Sequence, residues 1–400
     1  MFSIIPPNTK FDFMGKAGHW AMISLVAFLL SLVIVFVVPA VAPGYGLKLG
    51  LDFTGGNEVL VGFKKQVTAA QVREVLTKLN LGDTSVQSFG NDGDYLVRVQ
   101  RSEALAPEDV ASFEKAFADR YGPRFKPPIA YNKEIGTVIE VEFAVSASVA
   151  TAVGSDLGPD ALSSFVGSLG RKTTSAKKIG RPDQARFAIA IEGIDGVVVK
   201  GLQALDPDAL AKRVEFVGPT VGKQLRDDGI LAVLYALLCI LIYIALRFDF
   251  FYSPGAVICL FHDAFVTTAV LALVGREFTL TTIAGLLTLV GYSINDTIIV
   301  FDRIRESVGK AQGRALSDVI NRSINETLGR TVMTSSTVIL ACVCLCIFGY
   351  GTVLFEFGLI LGIGVVLGTY SSIFVASPIF MWLREKYAPT IVEHKEVGHL

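Results

Sequence analysis

The chain has 400 residues, 52% of them hydrophobic and only 18% charged, a more apolar balance than a soluble domain of average usage shows. Its 36 basic and 37 acidic residues leave a formal net charge of −1, so no overall positive field exists to neutralise a phosphate backbone, and a nucleic-acid partner is not expected. All five cysteines (Cys239, Cys259, Cys342, Cys344, Cys346) fall in apolar runs, which excludes an intramolecular disulfide within residues 43–228 and reads as small buried side chains rather than a metal site.

A helix needs about 20 apolar residues to cross ~30 Å of hydrocarbon. Six segments qualify: 21–42, 229–246, 254–274, 278–301, 332–350 and 357–383. The first resembles a signal peptide at Ala40-Val41-Ala42. Its apolar core is longer than the roughly 7–15 residues of a signal sequence, however, and Pro43 sits where cleavage would fall, so a retained anchor is expected.

Residues 43–228 have ordinary soluble composition, enough for a domain with its own core. Strand patterns cover 58–63, 84–89, 95–100, 137–143, 186–191 and 213–217. Helical periodicity marks 68–79, with Val72, Val75, Leu76 and Leu79 on one side, and 107–121. The alternation predicts a small α+β sandwich. The stretch 167–183, with Arg171, Lys172, Lys177, Lys178 and Arg181 among Ser, Thr and Gly, reads as an exposed basic loop or, failing that, a docking patch. The domain has no Gly-x-Ser-x-Gly, no histidine between Trp20 and Phe261 and no paired Cys/His ligands, so hydrolase and metalloenzyme chemistry lack material.

Basic residues set the expected orientation, because Lys and Arg are retained on the cytoplasmic side. Lys10 and Lys16 precede the first span and Arg247 ends the second. Arg303, Arg305, Lys310, Arg314, Arg322 and Arg330 lie between the fourth and fifth, and Arg384 and Lys386 follow the sixth. Of the two short loops on the opposite side, one carries Arg276 and the other, about 351–356, has no Lys or Arg. Residues 1–20 and 384–400 are therefore expected in the cytoplasm with the loop 302–330, and 43–228 outside, between the first span and the five spans of 229–383.

Ionisable side chains inside a span cost about 2.5–3.5 kcal/mol or more and mark a partner or a pathway. Asp296, preceded by Asn295, lies about six residues from the cytoplasmic end of the fourth span, roughly 9 Å deep. Stepping back by threes and fours gives Tyr292, Thr288, Gly285 and Thr281, a polar or small stripe that should face protein or water. Asp296 reads as a proton-carrying carboxylate, against a satisfied carboxyl group on a packing face. His262 and Asp263 near the middle of the third span are equally a structural pair or part of a pathway. Arg330 opens the fifth span as a snorkelling anchor, or as the counter-charge of Asp296 if it reaches inward.

Leu316, Val319, Ile320, Ile324 and Leu328 repeat at helical spacing in the loop before the fifth span and should lie along the cytoplasmic membrane face. Gly358-x-x-x-Gly362 and Gly364-x-x-x-Gly368 in the sixth span are seams for close helix contact. No phosphate-cradling loop occurs, so no nucleotide cofactor is expected, and an ion gradient or a partner's ATPase is the expected energy source.

These pieces resemble the SecF family, partners of SecD and half-sized relatives of the resistance-nodulation-division (RND) transporters. The residues that carry the resemblance begin with Leu49-Gly50-Leu51-Asp52-Phe53-Thr54-Gly55-Gly56 and Val214-Glu215-Phe216-Val217-Gly218-Pro219-x-Val221-Gly222. His262-Asp263, Gly291-Tyr292-Ser293-Ile294-Asn295-Asp296-Thr297, Phe301-Asp302-Arg303, Arg330-Thr331 and Thr334-Ser335 complete them. The resemblance implies a polytopic α-helical membrane protein of six spans, half of an RND transporter, with a ferredoxin-like α+β domain outside. It also implies a bacterial inner-membrane location, SecD, the SecYEG channel and the translocating preprotein as partners, YajC and YidC as further candidates, and drive by the proton-motive force. Asp296, Arg330, Asp263, His262, Asn295 and Tyr292 would belong to the proton pathway. Asp52, Gly55, Gly56, Gly218 and Pro219 would be structural, with Gly55 and Gly56 relieving the backbone at the first strand. Typical domains of the family are shorter, and the extra length here is expected at about 135–205, where Val138 to Phe143 faintly echoes Val214-Glu215-Phe216 as a local duplication would. A stand-alone RND exporter or a non-transporting membrane scaffold are the competing readings.

Overall fold

The computed structural model describes residues 6, 9–42, 45–82, 84–89, 93–100, 105, 107–132, 137–146, 156–179, 181, 184–310 and 314–387. The chain divides into two compact units, Met1–Gly50 with Asp228–Leu400, and Leu51–Asp227. The chain opens with α1 (Ala17–Val41) and β1 (Lys48–Leu49). The second unit follows as α2 (Leu51–Thr54), β2 (Gly56–Gly62), α3 (Ala69–Lys78), β3 (Thr84–Ser88), β4 (Asp94–Val99), α4 (Pro107–Tyr121), β5 (Phe125–Asn132), β6 (Val138–Ser146), α5 (Pro159–Ser168), β7 (Thr173–Ile179), β8 (Gln184–Ile191), α6 (Ile194–Leu202) and β9 (Leu210–Val217). Then come α7 (Pro219–Arg247), α8 (Ser253–Leu273), β10 (Glu277–Phe278), α9 (Leu280–Lys310), α10 (Leu316–Phe348) and α11 (Val353–Tyr387).

Among the described residues six helices are long and apolar enough to cross a membrane, α1 and α7 to α11, one for each apolar run. The helices outrun the runs. α7 begins at Pro219, whose fixed φ suits a first helical turn, and α9 continues to Lys310. The apolar positions Leu316 to Leu328, expected at helical spacing in the loop before the fifth span, are the first half of α10, one unbroken helix of 33 residues that continues into that span. α1 and α11 each contain a π turn, Val33–Val37 and Ser372–Ala376, just ahead of Pro39 and Pro378. A proline removes the bond to the carbonyl four residues back and crowds it, and the widened turn absorbs both effects. β1 pairs in parallel with β10, and the Gly50 amide extends the pairing to the Phe278 carbonyl at 2.8 Å.

Within Leu51–Asp227 the strands form two antiparallel sheets, β3-β4-β2-β9 and β5-β6-β8-β7. The first, with α3 and α6 as crossovers, is a ferredoxin-like βαββαβ module. Val59, Val61, Val97 and Val99 of its central strands bury one face against Val72 and Leu76 of α3 and Ile194, Val198 and Leu202 of α6. At its entry Gly55 and Gly56 hold φ of +67° and +124°, backbone that side chains disfavour, and a Cβ on Gly56 would stand 2.7 Å from the Val99 carbonyl oxygen.

The extra length is a second module. Its sheet has the same strand order when counted from β8, with α4 and α5 as the two crossovers, so it is a circularly permuted copy of the first architecture. Phe117, Phe143 and Phe187 are fully buried at its centre. It occupies 105–191 rather than about 135–205, because α6 returns to the first core. The echo of Val138 to Phe143 in Val214 to Phe216 does not mark equivalent strands: β6 is central in its sheet and β9 lies at the edge of the other. The basic stretch expected as a loop contains β7, an edge strand, and a charged edge is disfavoured for stray pairing.

Candidate functional site

Two carboxylates lie in the interior of the membrane unit with zero exposure, Asp263 on α8 and Asp296 on α9. The glycine seams of α11 bring their neighbours close. A Cβ on Gly364 would meet Leu289 Cδ1 at 2.5 Å, and one on Gly368 would meet Ser293 Cβ at 2.9 Å, so this half of α11 lies directly on α9. Gly358 and Gly362 instead face α10, at Leu345 and Cys342. The residues just after the second seam, Thr369 and Ser371, reach one carboxylate each.

Asp296 Oδ2 lies 3.5 Å from both Ser335 Oγ of α10 and Thr369 Oγ1 of α11, and those two hydroxyls are 2.7 Å apart. Its other oxygen, Oδ1, is buried and has no hydrogen-bond partner among the described residues. Arg330, on α10 below Ser335, is exposed and makes no ion pair with it, acting on Asp296 only as a charge through space.

Asp263 is more fully held. Its Oδ1 lies 3.0 Å from His262 Nδ1, and its Oδ2 accepts from Ser293 Oγ at 2.5 Å and Ser371 Oγ at 2.7 Å. The Cys259 thiol donates to Ser371 Oγ at 3.0 Å. His262, 3% exposed, keeps Nε2 without a partner among the described residues. Chemically this is a carboxylate with a ring that can exchange a proton on its far nitrogen. Among the described residues no three His, Cys, Asp or Glu side chains converge as metal ligands.

The expected stripe on α9 is rotated. Its buried face runs through Thr282, Gly285, Leu289, Ser293, Asp296, Thr297 and Val300. Thr288 and Asn295 are exposed, and Tyr292 is half-buried with its hydroxyl unpartnered among the described residues. At 3.6 residues per turn each step of four advances about 40°, so two steps from Asp296 to Thr288 drift ~80° off its face, while Leu289 stays within ~20°. Ser293, Thr369, Ser371 and Cys259, absent from the expected pathway, supply most of the contacts. One signal for Ser371 was available: it follows Gly368 by three residues, on the same seam.

At the end of the bundle that holds the basic residues, ion pairs neutralise several of them. Arg247 meets Asp302 at 2.5 Å, Arg303 meets Glu306 at 2.7 Å and also Glu326, and Arg322 meets Glu326 at 2.8 Å.

Residues 197–386 match the family described as "Protein export membrane protein SecD/SecF, C-terminal", and residues 41–67 match the "SecD/SecF GG Motif". The first match contains both carboxylates and Arg330, the second Gly55 and Gly56. "Protein translocase subunit SecF" of Koribacter versatilis is 34% identical over 393 residues, covering 94% of this chain and 93% of that protein. That of Magnetococcus marinus is 35% identical over 389 residues, covering 96% and 97%. Among solved structures, SecDF, a translocon-associated membrane protein from Thermus thermophilus, superposes with a TM-score of 0.59 at 26% identity over 94% of this chain. The chain spans 39% of that SecDF chain. With relatives of 34% and 35% identity aligned over nearly their whole length, the chain belongs to the SecF family, membrane subunits of the protein translocase with an RND-type fold.

Proposed function

We propose that the chain works with SecD beside the SecYEG channel, in the bacterial inner membrane, drawing on the proton-motive force to pull emerging preprotein outward and complete its translocation. YajC and YidC are the further partners of this reading. Both termini and the basic ends of α9 and α10 face the cytoplasm, and residues 43–228 face the periplasm.

One observation carries it: Asp296 is wholly buried, has two weak hydroxyl contacts at 3.5 Å, and among the described residues has one unpartnered oxygen and no ion pair. A carboxylate so poorly compensated is costly when charged and cheap when protonated. Unloaded, it draws Ser335, Thr369 and the Arg330 charge inward; loaded, it releases them. The two protonation states therefore favour different placements of α10 and α11 against α9, the kind of bistable packing that turns a proton into movement. Asp263 and His262 form a second station on α8, and Tyr292 lines the approach on α9. Asn295, exposed one residue from Asp296, serves the pathway only from the outer side of that helix.

The test is proton-motive-force-dependent release of a secretory precursor from spheroplasts lacking the native protein, complemented with the wild type or with Asp296→Asn. Release should be lost while membrane levels and SecD co-purification persist. Wild-type release by Asp296→Asn would make the carboxylate structural and the protein a scaffold.

A further inference from the structure

The segment before α1 is bound to the first half of α10 by two asparagines one helical turn apart. Asn321 Oδ1 accepts from the Phe13 and Met14 amides at 2.8 and 2.9 Å, and its Nδ2 donates to Asp12 Oδ1 at 2.8 Å. Asn325 reads both main-chain groups of Phe11, accepting from its amide at 3.0 Å and donating to its carbonyl at 2.8 Å. Asp12 also accepts from the Gly15 amide at 2.8 Å, closing the turn that the asparagines grip. Met14 and Ala17 are buried with Leu316, Ile320, Ile324 and Phe380.

The same arm leads to both carboxylates. Along α10, Asn321 and Asn325 share one unbroken helix with Arg330 and Ser335, the latter ~21 Å further on. On its other side the Phe13 ring meets Phe374 at 5.8 Å, Phe374 stacks on Tyr370 at 5.1 Å, and Tyr370 lies 6.5 Å from the His262 ring. α1 reinforces this path through Trp20 on Phe374 at 4.8 Å and Ser24 Oγ on the Tyr370 hydroxyl at 2.8 Å.

We propose that Asn321 and Asn325 are positioning residues that latch the N-terminal arm to α10, so that the surroundings of Asp296 and of His262–Asp263 shift as one body. The latch rests on the coupling reading above. It predicts that detaching the arm uncouples release without disassembling the membrane helices.

A charge cycle in the full protein with SecD tests it. Asn321→Asp sets a carboxylate against Asp12 and removes the donated bond; Asp12→Asn beside it restores a donor. Asn321→Asp should raise amide exchange across residues 9–16 at least tenfold and slow precursor release at least tenfold, at unchanged membrane level and SecD co-purification. The pair Asp12→Asn with Asn321→Asp should return both to within twofold of wild type. Wild-type release by Asn321→Asp or by Asn321→Ala with Asn325→Ala, or a loss that Asp12→Asn leaves unrepaired, overturns the latch. Asp296→Asn run alongside separates the two ideas: if it is silent, the coupling reading itself falls, whereas an inactive Asp296→Asn beside an active Asn321→Asp removes the latch alone.

Discussion

Gly368→Ala is a small change with a large expected effect. The added methyl would stand 2.9 Å from Ser293 Cβ and 3.2 Å from Ser293 Cα and Oγ, so two helix surfaces must part by several tenths of an ångström to reach ordinary contact. Overfilling a packed interface costs about 1–3 kcal/mol. The displacement falls where it matters, because Ser293 and Ser371 are the hydroxyls on Asp263, and Thr369 already stands 3.5 Å from Asp296. Gly362→Ala is the matched control: among the described residues its methyl would meet only Cys342 Cβ, at 3.4 Å, an ordinary contact. Thermal unfolding of the purified complex in detergent, with precursor release measured in parallel, should show Gly368→Ala destabilised and impaired and Gly362→Ala near wild type. Equal behaviour of the two variants would refute the argument that the second seam sets the carboxylate geometry.

Ser371→Ala removes the 2.7 Å bond to Asp263 and the acceptor of the Cys259 thiol. It should destabilise the protein by about 1–3 kcal/mol, with Ser371→Thr retaining part of that, as read from thermal unfolding of the two variants. Asp206 is buried, and the backbone amides of Lys65, Asp208 and Lys64 hold its carboxyl below the ordinary value of 3.8. A depressed folded-state value contributes stability above the unfolded-state value that is lost as pH falls through the folded-state one. Asp206→Asn should therefore destabilise the unit Leu51–Asp227 of the intact protein at pH 7, with the gap from wild type closing as unfolding is measured at pH values progressively below 3.8.

The spans and the strands β2, β4 and β9 of the first module were legible because their signals are local: apolar runs of about 20 residues, and Val-containing alternation in those three strands. What escaped depended on tertiary placement. β5 carries Pro127 and Pro128, which argue against a strand, yet it is an edge strand with an irregularity between Lys126 and Ala130, where prolines are tolerated. β7 reads as a loop because its lysines look solvated, as they are at an edge. The carboxylates stood out as charges in apolar runs, whereas single hydroxyls such as Ser293 and Ser371 cost little in a membrane helix and leave no such mark. The helix face was misjudged at Tyr292 and Thr288 because the first two steps from Asp296 were both of four, an error of rotation rather than of residue type.

The permutation of the second module explains how 87 residues, 105–191, sit between β4 and α6 without disturbing them. In the unpermuted order one loop would join β8 to α4; here that loop is where the chain enters and leaves. Leu105 and Ile191, at the two ends, lie in the same buried core. The host sheet therefore experiences the whole module as a closed loop whose ends already meet, and the closure cost of a loop depends on its ends and only weakly on its length. A module attached in this way is a cassette: it can be lost, gained or exchanged between related chains by changing one connection, while the strands that carry the glycine pair keep their register.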